Sequence, residues 1–240
     1  MVRILFENES MLAIDKPSGI ATIGETMGPN SLMGIVRRQT GIFGVEPGHR
    51  LDKPVSGVLL LGKSRRQAAR LLDKIQKKDM VEKVYVARVQ RKKQLQGSHS
   101  SNVAAVGVDE FPAEEFTVAA PIGWESAKSR AYVHAEGAVT SSEGSDAAAL
   151  AVTHFKRLDC NGAALPDGTV LVACRPKTGQ RHQIRVHLEH IGWPIANDSL
   201  YGAFLPVNSD WRGRVGPHAC ITRLMVEASG VARRPFRAMH

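Results

Sequence analysis

HRLDKPVSGVLLLG occupies residues 49–62, and its order decides how the rest of the chain is read. A charged segment runs into Pro54, then into Ser56 and Gly57, then into the apolar run VLLL at 58–61. Turn residues followed at once by a short apolar run predict a strand entering a core. Asp52 lies between Arg50 and Lys53, just ahead of that strand. Cationic neighbours favour a carboxylate, and a charged Asp can act as nucleophile, base or metal ligand. The same spacing also suits an Asp that merely opens a turn, and spacing alone favours that simpler role.

Further strands are expected at 2–6, 11–14, 84–89, 116–120, 131–135, 152–158 and 169–175. In the segment 84–89, Val84, Val86 and Arg88 alternate with Tyr85, Ala87 and Val89, the period of a half-buried strand. Two helices are expected. The first runs from a Ser64 cap to about Lys78, with Ala68, Leu71, Leu72 and Ile75 at helical spacing. Its other positions carry Arg65, Arg66, Arg70 and Lys74. The second runs from near Gln180 to a Gly192 cap, with Ile184, Leu188 and Ile191 as its buried stripe. Strands outnumber helices without regular alternation, so the fold class is α+β with a mainly antiparallel sheet. Residues 94–110 and 136–149 are polar and of low complexity, and read as surface insertions in a single domain, 1–240.

The stretch 175–202, RPKTGQRHQIRVHLEHIGWPIANDSLYG, is dense in chemistry. Thr178 and Gly179 suit an entry turn. Arg181 and Arg185 lie four apart and share a helical face directed away from the apolar stripe. Either could clamp a phosphate or carboxylate, or simply be solvated. His182, His187 and His190 have poor metal spacing, so no metal is expected. Tyr85 is either a core ring or a surface on which a base stacks.

The net charge is +9 and the pI about 9.7, a balance that suits a polyanionic partner such as RNA. No apolar run of about 18 residues marks a membrane span. Cys160, Cys174 and Cys220 form no metal spacing and no even set, which fits thiols in a reducing compartment. Cytosol, nucleus and mitochondrial matrix all meet that condition. No secretory signal or transit peptide is evident at the N-terminus.

Together these pieces resemble the RluA-like family of RNA pseudouridine synthases. HRLDKPVSGVLLLGKS, EKVYVA and TGQRHQIRVHLEHIGWPIANDSLYG each resemble a family motif, in the family's order. LAIDKPSGI, AVTHFKRL and GPHACITRL resemble its opening, middle and late elements. The resemblance implies a mainly antiparallel sheet in two subdomains with a cleft; no S4-like domain is expected ahead of the catalytic region. It implies that Asp52 is the nucleophile, that Arg185 pairs with it, and that Tyr85 stacks on the uracil. Arg50 would fill the space of the flipped base. His49, Lys53, Lys83, Arg181, His182 and Gln183 would join the basic helix residues in binding RNA, either rRNA or tRNA, free or in a pre-ribosomal particle. Uridine isomerisation needs no cofactor or metal, and a monomer suffices.

Departures are Val55 for the family's Thr, Gln180 for its Arg, and Asn197 for its Gly, where Asn tolerates positive φ. They motivate a second reading, a synthase-like RNA-binding assembly factor with weak or lost catalysis. A third, weaker reading is a metal hydrolase built on the histidines.

Overall fold

A computed structural model of the chain describes residues 1–23, 28, 30–77, 82–91, 110–134, 146–158 and 168–202. The expectations for 94–109, for 136–145, for Lys78, Cys160 and Cys220, and for the late element lie outside the described residues. Two compact units divide the chain between Tyr85 and Val86.

The first unit holds β1 (Arg3–Glu7), β2 (Met11–Lys16), α1 (Leu32–Thr40), β3 (Glu46–Pro47), β4 (Gly57–Gly62) and α2 (Arg65–Lys77). Its sheet has the order β1-β2-β4-β3, antiparallel throughout. β4 is therefore an inner strand, as the apolar run predicts. Leu59 and Leu61 are wholly buried, and so are Leu12 and Ile14, their partners in register on β2. On the opposite face, Leu60 clusters with Ala13 and with Ile75 of α2. The helix lies so close to β4 that a Cβ on Gly62 would clash with the Ala68 backbone. Ser64 caps it as expected, with the Gln67 amide donating to Ser64 Oγ at 3.3 Å. Leu72, assigned to the apolar face, is instead 42% exposed; only Ala68 and Ile75 of α2 are buried.

Helix α1 was not anticipated. Its signals are local: Ser31 Oγ accepts from the Gly34 amide, and Gly41 ends the helix at φ 71°.

The second unit holds nearly all of β5 (Tyr85–Val89), then β6 (Phe116–Glu125), β7 (Arg130–Val133), β8 (Asp146–Arg157), β9 (Val170–Pro176) and α3 (Gln183–His190). Its sheet has the order β5-β9-β8-β6-β7, with β6–β7, β6–β8 and β8–β9 antiparallel. Residues 146–149, expected in a loop, belong to β8. On β6 and β8 the buried positions alternate: Val118, Ala120 and Ile122 face the same side as Ala151, Thr153 and Phe155. Val186 of α3 packs into that side with Ile122, Ala131, Ala151 and Tyr201. Among the described residues no helix is long and apolar enough to cross a membrane.

Candidate active site

Asp52 is half-buried at the turn that leads into β4. Its carbonyl accepts from the Val55 amide at 3.0 Å, closing the turn. The loop after β2 clamps this turn from several sides. Thr22 Oγ1 donates to Leu51 O at 2.7 Å and accepts from Leu51 N at 3.0 Å. Gly19 N donates to Lys53 O at 2.8 Å, and Ser18 Oγ donates to Pro54 O at 2.8 Å. Gly19 stands at φ 86°, a conformation that favours glycine. The DKPSGIAT segment thus supplies what the turn preceding β4 lacks, a rigid backing.

Lys16 is the centre of that loop. Its side chain is completely buried. Nζ donates to Pro17 O at 3.0 Å, to Ile20 O at 2.6 Å and to Lys53 O at 3.4 Å. Burial pulls its pKa down to about 8, against the opposing pull of the Asp52 charge. Gly57, opposite Lys16 in the β2–β4 register, takes φ 124°, which explains a glycine at the mouth of the strand. Val55 is buried, so the hydroxyl missing there is replaced by packed methyl groups.

The expected RNA contacts of this unit divide into two kinds. Arg50, Lys53, Arg65, Arg66, Arg70 and Lys74 are exposed. Lys83 and Tyr85 are half-buried, Tyr85 at the first position of β5. His49 is used internally: its Nε2 accepts from Leu60 N at 3.1 Å. Burial, with the nearby Lys83 charge, lowers its pKa to about 4 against a hydrogen bond that the ring donates to the Arg50 backbone. The ring is neutral near pH 7 and supplies no cation there.

In the second unit, the segment 176–202 is organised by polar groups that the periodicity placed on the wrong side. Gln183, expected at the RNA surface, is buried with its amide fully engaged. Its Nε2 donates to Val152 O and Thr153 Oγ1, both at 2.9 Å. Its Oε1 accepts from Thr178 Oγ1 at 2.8 Å and from Gln180 N at 3.0 Å. His187 is wholly buried, with Nδ1 3.0 Å from Thr153 Oγ1, and burial lowers its pKa to about 4. The expected stripe of Ile184, Leu188 and Ile191 is therefore not the buried face: Ile184 and Ile191 are only half-buried, while Gln183, Arg185, Val186, His187 and Leu188 are buried. Only Leu188 holds from that stripe. Helix α3 also starts at Gln183, which leaves Arg181 ahead of it. It ends as expected near Gly192, at φ 81°, with Gly192 N bonded to Glu189 O and Trp193 N to Leu188 O.

Arg185 is 8% exposed and not on a solvated face. Asp198 grips it in a fork, Nε to Oδ2 at 2.7 Å and Nη2 to Oδ1 at 2.8 Å. Asp198 Oδ1 also accepts the amides of Leu200 and Tyr201. Burial alone would raise the Asp198 pKa, but the guanidinium and the amides hold it below the ordinary value. Asn197 stands at φ 60°, the left-handed conformation expected of it. The three histidines take separate environments: His182 Nδ1 lies 2.9 Å from Tyr201 Oη, His187 bonds Thr153, and His190 closes α3 half-buried. Among the described residues no group of three or more His, Cys, Asp or Glu side chains could hold a metal ion.

Lys16, Thr22, Thr153 and Asp198 were not singled out from the sequence as site residues. Three of them stand inside quoted motifs: Lys16 in LAIDKPSGI, Thr153 in AVTHFKRL and Asp198 in IANDSLYG. Thr22 carried no local signal.

The sequence profile of the RNA pseudouridylate synthases matches residues 10–190. The chain belongs to this family. The human pseudouridylate synthase RPUSD2 is 33% identical over 205 residues, covering 84% of this chain and 31% of its own. The mitochondrial tRNA pseudouridine(32) synthase of Saccharomyces cerevisiae is 32% identical over 203 residues, covering 83% of this chain and 37% of its own. The ribosomal large subunit pseudouridine synthase C of Rickettsia bellii is 29% identical over 203 residues, covering 83% of this chain and 56% of its own. The chain thus spans about a third of the length of the first two. Human RNA pseudouridylate synthase domain containing 1 superposes with a TM-score of 0.59 at 22% identity, over 85% of this chain and 70% of its own. That likeness shows the fold, and it agrees with the α+β reading.

Proposed function

We propose that the protein is an RNA pseudouridine synthase acting on a uridine in structured rRNA or tRNA, with Asp52 as its nucleophile. The observation that carries this is the placement of Asp52. A half-buried carboxylate sits at the entry of an inner strand, on a turn backed by Thr22, Gly19, Ser18 and the buried Lys16. A reacting group needs this kind of fixed geometry; an Asp that only opens a turn does not. Family membership supports the reading, as do relatives named for tRNA and for the ribosomal large subunit.

In the reaction, the N1–C1′ bond of uridine breaks, the uracil turns, and a C5–C1′ bond forms. The hydrogen on C5 leaves as a proton and N1 gains one, so composition is unchanged and no oxidant or cofactor enters. A carboxylate can hold the reacting nucleoside covalently while the base turns. Tyr85 and Arg185 have the supporting roles that the family resemblance assigns. The exposed basic residues of α2 supply phosphate contacts, which makes binding salt-sensitive.

The test is tritium release from rRNA and tRNA transcripts labelled at uridine C5. The parent protein should release tritium, and Asp52→Asn should not. Release by the variant at the parent's rate would refute Asp52 as nucleophile; a parent silent on every transcript, and on pre-ribosomal particles, would refute the activity.

A further inference from the structure

Arg181 stands just before α3, and its guanidinium carbon lies 4.1 Å from the centroid of the Trp124 ring. The residue is exposed, and among the described residues it has no carboxylate partner. Its neighbours differ. Lys128 is paired with Glu125, and Arg130 lies 3.7 Å from Glu189. Arg181 is therefore the uncompensated cation of the group, and it rests on an aromatic ring.

That ring is firmly seated. Trp124, near the end of β6, is half-buried and packs against the Ile122, Ala131 and Val186 cluster. His182 meets it edge-on, with centroids 5.3 Å apart. His182 is itself held at φ 57° and at Tyr201 Oη, which also accepts from Ala131 N at 2.7 Å. The support beneath the guanidinium is thus built from fixed rings, and its outer side is open to solvent. A planar cation held on an indole is a surface on which an unpaired base stacks, since bases stack on both aromatic and guanidinium planes.

We propose that Trp124 and Arg181 form a stacking platform for an unpaired nucleobase of the RNA substrate. This rests on the pseudouridine synthase reading for the identity of the RNA, but not for the platform chemistry. A stacked base discriminates looped from fully paired RNA, so the platform contributes to substrate choice and leaves the isomerisation itself to other residues.

The experiment measures the Kd of the full chain, by fluorescence anisotropy, for a labelled hairpin with a uridine-containing loop and for a duplex without a loop. Trp124→Leu should weaken hairpin binding about tenfold, the order expected for losing one stacked base. Duplex binding should be unchanged. Trp124→Phe keeps a ring and should bind much more tightly than Trp124→Leu, which also separates lost stacking from lost folding. Arg181→Lys keeps the charge but not the plane. It should weaken hairpin binding with the salt slope unaltered, because the number of cations is the same. Parent-like hairpin binding by Arg181→Lys, or an equal loss on hairpin and duplex in Trp124→Leu, would overturn the platform. Tritium release by the parent distinguishes the two proposals. Release without a platform effect removes only the platform, and a platform effect without release removes only the synthase reading.

Discussion

Among the described residues each unit buries one cationic side chain, and the two are satisfied in opposite ways. Lys16 in the first unit is surrounded by carbonyl oxygens of Pro17, Ile20 and Lys53. Arg185 in the second is met by a full carboxylate, in a two-pronged fork with Asp198. Carbonyl dipoles solvate an ammonium but do not neutralise it, so burial drags the Lys16 pKa down to about 8. The guanidinium holds its proton, and the fork instead lowers the pKa of its partner Asp198. A caged lysine therefore carries a charge that pH can remove, whereas a forked arginine carries one that only mutation can.

The largest effect is expected from breaking the fork. Asp198→Asn keeps an oxygen for the Leu200 and Tyr201 amides but removes the charge of the carboxylate that forks the buried Arg185. Removing one partner of a buried pair costs about 3–5 kcal/mol, which a shift in denaturation midpoint would report. The effect has a pH signature. A carboxyl whose folded pKa is lowered contributes stability above its unfolded pKa and loses it as pH falls through the folded one. The gap between parent and Asp198→Asn should therefore close in strong acid and stay open at neutral pH. A change below about 1 kcal/mol at pH 7, the range of exposed pairs, would mean that the fork behaves as a surface contact.

Lys16 should reveal itself at the other end of the pH scale. Its folded pKa of about 8 lies below the ordinary 10.5, so between these values the unfolded chain binds more protons than the folded one. Folding is favoured as pH rises through that window. The stability of the parent relative to Lys16→Met should rise by up to about 3 kcal/mol between pH 8 and 10.5, from about 1.4 kcal/mol per pKa unit. A flat difference would show that the carbonyl cage and Asp52 together stabilise the ammonium as well as water does.

The same contrast explains what could be read from the sequence. The first unit's sheet was legible because β4 is apolar on both faces, and no polar side chain interrupts 58–61. The second unit's strands were legible by alternation, but α3 was not. Periodicity looks for apolar side chains on the buried face, and here Gln183, Arg185 and His187 occupy it. Those residues are tolerated there because Thr153, Thr178 and Asp198 supply hydrogen-bond partners to them. All three partners lie outside the helix, two of them ahead of it, where a window over the helix does not look. Lys16 escaped notice for a related reason, since its partners are backbone carbonyls, which no side-chain pattern shows. Helix α1 was missed because only Leu32 and Val36 of its nine residues are buried, so its evidence lay in the Ser31 and Gly41 caps.

The smallest effect concerns how Asp198 is delivered to Arg185. Asn197 turns the chain at φ 60° one residue ahead of the fork. An Ala at that position meets the left-handed penalty that Asn softens and Gly avoids. Asn197→Ala should lose about 1 kcal/mol, whereas Asn197→Gly, which removes the same side chain, should stay close to the parent. Comparing the two isolates the backbone, because any hydrogen bond of the Asn side chain is lost in both. If Gly falls as far as Ala, the side chain and not the φ angle supports the turn, and the fork is held by more than its own geometry. If only Ala falls, a left-handed step is what lets a carboxylate just past the helix swing back to it.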